Sequence, residues 1–331
     1  NIGENDSLHA DLSSILLYQG KYQEALDEID KAIALSPESP FSYMLKGNLF
    51  LYQGDLVRPA MEYRNLLKLK TPGVQIFYSY TMTSLAILQG RFTEALKLAD
   101  QTVQALEKAG EEESANIFRD LSAYCHWRSG QLKEALQEYG RMREAAEKID
   151  SLVWKRKALH GTGLLLSAMN SPDEARRAAD ELAVLVQRAI DQKETRRIEH
   201  LLGTIELQKE NCGQAIGHLT KAVEKLPHER FYYEDEQAFY LEPLASAYYK
   251  SGDLEKARGE YLKITALTSG RQHYGDIYAR AFYMLGRIAE QQGDKVRAIA
   301  NYRKFLDLWK DADPGLPEVG DAKKRLASIL N

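Results

Sequence analysis

The chain has only two cysteines, Cys125 and Cys212, far apart and in no CxxC pairing. That excludes a disulfide-stapled scaffold and a cysteine-built zinc site. Nine prolines and 22 glycines in 331 residues are too few for a low-complexity chain. No apolar run approaches the roughly 18–20 residues that span a bilayer, so membrane insertion is not expected. Charge of one sign is also missing: 44 Lys and Arg against 48 Asp and Glu leave −4, and neither half is basic. Nucleic-acid affinity rests on a basic field that neutralises phosphates, and this chain has none, so nucleic acid is not the expected partner. The start, Asn1-Ile2-Gly3-Glu4, lacks an initiator Met and any signal-peptide pattern. It reads as a segment of a longer chain, with the cytoplasm as the expected compartment.

Length alone suggests about two domains of some 150 residues, but internal repetition displaces that expectation. One phrase recurs: an apolar stretch, a glycine, an alanine five residues on, then another apolar stretch. It appears as Gly20…Ala25, Gly90…Ala95, Gly130…Ala135, Gly252…Ala257 and Gly293…Ala298. Gly54 fits with Pro59 in the alanine place. Asn170…Ala175 and Glu210…Ala215 keep the alanine and lose the glycine. The eight anchors stand 34 to 42 residues apart.

Each copy reads as two helices. Before the last anchor, Phe282, Leu285, Gly286 and Ala289 follow helical spacing; after it come Ile299, Tyr302 and Leu306. Glycine at the junction supplies the left-handed conformation that ends a helix, with Asn170 the next best residue. Asp55, Asp253 and Asp294 can then accept from the free amides of the next helix. Small residues (Ala25, Ala135, Ala298, Gly47, Gly203, Gly286) mark where paired helices approach closely. A lone amphipathic pair cannot bury both faces, so the pairs must stack into an all-α solenoid. The expected units are about 6–39, 40–74, 76–112, 114–150, 152–192, 194–228, 232–270 and 275–312. A capping helix over 317–330 completes a single domain, 1–331, with Lys323, Lys324 and Arg325 on its outer side.

The pattern resembles the tetratricopeptide repeat family, through Leu285-Gly286…Gly293…Ala298…Tyr302, Gly47…Gly54…Tyr63, Gly20…Ala25…Ala32…Pro37 and Gly203…Ala215…Ala222. The resemblance covers about residues 7–312, and the 40–42-residue spacings look like the enlarged units of regulatory members. It implies a right-handed α-solenoid of about eight units that binds partners without catalysis. The last two copies also look like the C-terminal repeat arrays of bacterial multidomain signalling proteins.

Chemistry is not nominated. Gly161-Thr162-Gly163 lacks a third glycine and a preceding strand, and reads as helix packing rather than a phosphate loop. No two of the seven histidines pair at i+3 or i+4, so no metal or cofactor is expected. His160 and His200 occupy equivalent places in adjacent copies and read as neighbouring polar surface residues. Glu111, Glu112 and Glu113 read as a solvated loop.

In the family the first helix of each pair lines the concave side. On that geometry the candidate binding residues are Phe41, Met44, Asn48, Phe77 and Tyr80, then Asp120, Tyr124 and Trp127. A cationic middle follows with Lys157, His160, Arg197 and His200, then Phe239, Tyr249, Arg280, Tyr283 and Arg287. Aromatics and Arg dominate interface energies, although such aromatics also serve packing between neighbouring copies. The family's clamp for acidic peptide tails is matched only by Asn48; Ala10, Ser14 and Met44 stand in its other places. The expected partner is therefore a protein or peptide with an acidic portion. The alternative is a sensor in which a small effector controls an attached domain. An enzyme and an RNA reader rank behind both.

Overall fold

In the computed structural model the described residues are 5–71, 73–189, 191–226, 236–267 and 272–331. They form helices and no strands. Eight antiparallel pairs follow in order: α1 Asp6–Tyr18 with α2 Tyr22–Leu35, α3 Pro40–Tyr52 with α4 Arg58–Asn65, α5 Val74–Leu88 with α6 Phe92–Ala109, and α7 Glu112–Arg128 with α8 Leu132–Lys148. Then come α9 Leu152–Ala168 with α10 Pro172–Gln187, α11 Thr195–Gln208 with α12 Cys212–Glu224, α13 Gln237–Lys250 with α14 Leu254–Ala266, and α15 Gly275–Gln291 with α16 Lys295–Leu308. The last helix is α17, Pro317–Leu330. The unit boundaries expected at 228, 232 and 270 lie outside the described residues.

All eight anchors adopt positive φ, from Asn170 at 59° to Gly54 at 86°, with Glu210 at 63°. The same hydrogen-bond pair closes each first helix. At Gly20 the Gly20 amide donates to the Leu17 carbonyl at 3.0 Å and the Lys21 amide to Leu16 at 2.9 Å. This is the left-handed C-cap that satisfies carbonyls otherwise orphaned at a helix end. Glu210 holds it without glycine, at a cost of roughly 1–2 kcal/mol for an L-residue. Capping resumes on the far side, where Asp253 and Asp294 accept from Lys256 N at 3.1 Å and Arg297 N at 3.0 Å.

Close approach explains the small residues. The alanines five residues after the anchors, such as Ala25, Ala135 and Ala298, are fully buried. A methyl added at Gly286 would lie 2.7 Å from the Tyr302 ring, and one at Gly203 2.5 Å from Leu219. Gly161 and Gly163, inside α9, face Tyr139 and Leu201 just as tightly, so helix packing accounts for that glycine pair.

The chain divides into two compact units, residues 1–85 and 86–331. In the first, Ala25, Ile29, Ala32, Leu45, Leu49 and Leu66 are buried, and the Tyr63 hydroxyl donates to Asn48 at 2.7 Å. In the second, the pairs stack through recurring small cores, such as Tyr139 and Met142 against Ala158 and Leu165. This second unit also closes on itself. Trp309, just after α16, donates from its indole to the Leu88 carbonyl at 3.1 Å. The Asp313 carboxylate accepts from the Thr93 amide at 2.8 Å and its hydroxyl at 3.0 Å.

Two local expectations are corrected. Glu112 and Glu113 belong to the first turn of α7, where carboxylates favour the positive end of the helix dipole, rather than to a loop. Arg325 turns inward to Asp321 and Glu290, while Lys323 and Lys324 stay exposed.

Candidate functional site

Closure of the second unit brings α7 against α13 and the start of α15, so residues 150 positions apart share one interior. The Tyr124 hydroxyl donates to Asp276 Oδ1 at 2.6 Å, and Arg128 Nε forms an ion pair with Asp276 Oδ2 at 2.7 Å. Burial pushes the Asp276 carboxyl above its usual range despite these partners, because no water reaches it. Asp120, one turn back on α7, pairs with Lys157 at 2.8 Å and His273 at 3.2 Å, and accepts from the Tyr139 hydroxyl at 3.3 Å. Burial would raise its carboxyl as well. Here Lys157 and His273 outweigh burial and hold it below the ordinary carboxylate value.

The middle of the unit buries a second network. Arg197 bonds Glu194 at 3.0 Å and Glu236 at 3.1 Å; Arg196 pairs with Glu194 at 2.7 Å. Beside it His160 Nε2 and His200 Nδ1 stand 3.0 Å apart, with the Tyr240 ring 4.4 Å from the His200 centroid. The expectation of two surface histidines is therefore wrong. They are 3% and 2% exposed. Burial in this cationic surrounding lowers both imidazoles, His200 to about 3.

Proline placement supports the arrangement. Pro243 lies inside α13 and has no amide hydrogen, so the Phe239 carbonyl loses its intrahelical donor. That carbonyl lies near the His200 ring and favours a proton on it, while His200 Nε2 has no hydrogen-bond partner among the described residues.

Over this interior lies a half-open groove of about 390 Å³. Trp127, Phe239, Tyr261 and Tyr283 provide aromatic wall, His200 reaches its floor, and Arg128, Arg280, Glu242 and Lys250 provide charge. The charges offset one another. Arg280 pairs with Glu318 at 2.8 Å and approaches Glu242 at 4.0 Å, and burial raises the Glu242 carboxyl.

Of the residues expected from sequence, Trp127, His200, Phe239, Arg280 and Tyr283 converge on this groove. Asp120, Tyr124, Lys157, His160 and Arg197 lie beneath or beside it, engaged with other side chains of the unit. Arg287 lies over the Tyr249 and Tyr283 rings at 5.4 and 5.8 Å. Phe41, Met44, Asn48, Phe77 and Tyr80 belong to the first unit; Met44, Asn48 and Tyr80 are buried there, Phe41 and Phe77 half-buried. Sequence reasoning missed Arg128, Tyr139, Glu236, His273, Tyr274 and Asp276. Most fall outside the stretch of first helix just before each anchor: Tyr139 is on a second helix, and His273, Tyr274 and Asp276 sit at the entry to α15. Their only signal was a run of polar and aromatic residues ahead of that helix.

The tetratricopeptide repeat profile matches residues 11–65 and 243–317. Those two stretches carry tetratricopeptide repeats, and the remaining helix pairs share their positive-φ anchors. No curated protein matches it in sequence. Among solved structures it is similar to a Rap protein complexed with competence and sporulation factor, at 11% identity and a TM-score of 0.53, covering 98% of this chain and 97% of that one. It is also similar to NprR in complex with its cognate peptide NprX, at 13% and 0.53, covering 99% and 100%. A tetratricopeptide repeat protein from Parabacteroides merdae gives 17% and 0.47, covering 88% and 99%. At such identities the likeness concerns the fold alone.

Proposed function

We propose that the chain is a non-catalytic binding module that takes a peptide or a segment of a partner protein in the groove of its second unit. The observation that carries this reading is the convergence of Trp127, Phe239 and Tyr283, from three different helices, on one half-open groove with a polar rim. Aromatic side chains held by a packed scaffold, with charged groups around them, are the make-up of energetic centres in interfaces. The two structures at TM-scores of 0.53 were each solved with a factor or peptide bound, which supports a peptide as occupant. Arg128 and Arg280 already face Glu242, Asp276 and Glu318, so an acidic portion of the ligand would meet Lys250 at the rim.

Panning a displayed peptide library against the chain tests this. Enriched peptides should bind a Trp127→Ala/Phe239→Ala variant at least ~10-fold more weakly, as expected when interface anchors worth above ~1 kcal/mol each are lost. Peptides that bind both proteins equally would sink the assignment. A second reading, a small effector, is favoured by the groove's size, which falls within the ~300–1,000 Å³ of small-molecule sites. A thermal-shift screen separates the two, since an effector at a hundredfold its Kd adds about 2.7 kcal/mol.

A further inference from the structure

We propose that the groove of the second unit recognises a cationic group of its ligand, an ammonium or a guanidinium seated against Glu242. The inference rests on the reading of that groove as a binding site, and adds the charge of what the groove takes.

Glu242 lies in the middle of α13 and lines the groove together with Arg128 of α7 and Arg280 of α15. Both arginines are committed elsewhere. Arg128 Nε pairs with Asp276 at 2.7 Å, and Arg280 Nη2 with Glu318 at 2.8 Å. Glu242 Oε1 meets only their other nitrogens, Arg128 Nη2 at 3.7 Å and Arg280 Nη1 at 4.0 Å. Neither separation is a hydrogen bond. The cluster thus sets three carboxylates, Glu242, Asp276 and Glu318, against two guanidiniums. Burial raises the Glu242 carboxyl, with Asp276 and Glu318 adding to it and Arg128 opposing. A carboxylate drawn out of water without its own cation is costly, and a ligand cation supplies the match.

Among the described residues no further cation pairs with Glu242. Arg287, two turns beyond Arg280, lies over the Tyr249 and Tyr283 rings at 5.4 and 5.8 Å. Lys250 stands two turns along α13 from Glu242, about 12 Å of helix, which leaves it to an acidic portion of the same ligand. The walls favour the same sign as the charge count. Trp127 and Phe239 meet edge to face at 6.2 Å, and Tyr261 and Tyr283 complete the aromatic lining. Aromatic faces attract ammonium and guanidinium groups, and this unit already holds Arg128 over the Tyr124 ring at 5.7 Å. At the floor, burial keeps His200 neutral, and its Nε2 has no hydrogen-bond partner among the described residues. The floor therefore adds an unsatisfied polar atom and no competing positive charge. A ligand carboxylate at Glu242 would instead face a cluster already rich in carboxylates.

A displayed peptide library panned against the full chain, with Glu242→Gln as the comparison, tests the sign. Peptides that need Trp127 and Phe239 should share a Lys or Arg. Replacing that residue with norleucine or citrulline should weaken binding to the wild type by about tenfold or more. The same replacement should leave binding to Glu242→Gln nearly unchanged. Tetramethylammonium, agmatine and spermidine cover the other source of the charge: a thermal shift lost in Glu242→Gln gives the seat to a free organic cation. Without such a shift, two results overturn the inference and leave the groove reading intact. One is groove-dependent peptides that lack a basic residue; the other is a neutral replacement that costs both proteins equally. Absence of any groove-dependent peptide and of any cation shift removes both. Glu242→Gln relieves an unmatched charge and should fold; if it does not, the peptide-side replacement on the wild type reads the same contact.

Discussion

His160 and His200 show how a residue's environment can contradict its sequence neighbourhood. Each follows charged residues on its helix, Lys157 before His160 and Arg197 before His200, and polar stretches of that kind ordinarily face water. Here the two rings meet each other at 3.0 Å, and His200 packs on the Phe239 and Tyr240 rings contributed by α13, so both imidazoles are buried. Burial has a titration consequence. Both imidazoles are held below the ordinary value near 6.5, so in acid the unfolded chain binds protons that the folded one does not. Stability should fall as pH drops from about 6.5 toward 4.5, by up to about 1.4 kcal/mol per pH unit for each proton of difference. His160→Gln/His200→Gln should flatten that slope in denaturant titrations. A wild-type slope retained by the double variant would show that other groups carry it. The anchors tell the opposite story at the same scale. A left-handed turn is set by one residue and its immediate neighbours, so seven of eight were readable as Gly or Asn, and only Glu210 required its place in the spacing.

Whole helices were legible for a related reason. Apolar spacing, an anchor and a capping aspartate are all local, and together they place each pair within a few residues. What sequence leaves open is which small residues are obligatory. Ala and Gly read alike in a list, yet Gly203 stands where a methyl would be 2.5 Å from Leu219 and 3.1 Å from its backbone nitrogen, between α11 and α12. Two effects compete in Gly203→Ala. Helix propensity favours alanine by about 1 kcal/mol, while overpacking a tight core costs about 1–3 kcal/mol. The nearby backbone cannot yield as the end of a side chain can, so packing should win. The expected outcome is a net loss of up to about 2 kcal/mol, read as a lower denaturant midpoint. By contrast, Gly140→Ala, where an added methyl meets nothing within 4 Å, should be neutral or stabilising.

Above the element, the repeat pattern carries no information about where a run of pairs turns back on itself. Every pair reads alike, and the period is silent on contacts between the fourth and the eighth. Those contacts create the site in the second unit: without Asp276 beneath Tyr124 and Arg128, the walls made by α7, α13 and α15 would not face one groove. The closure is held by few residues. Trp309 is 2% exposed, its ring lies where a side chain on Gly90 would be, and its indole reaches the Leu88 carbonyl. A large aromatic lost from a core costs about 3–5 kcal/mol, and here the loss is concentrated at one junction. Trp309→Ala should therefore release the closure before it unfolds the pairs, which keep their own cores. Hydrogen exchange should quicken at the Thr93 and Asp313 amides, which the junction protects, while amides in the middle of α9 and α10 stay slow. If binding at the groove falls together with that protection, closure and recognition are one event. If binding survives, the contacts of Asp276 and His273 with α7 hold the groove walls without the Trp309 junction.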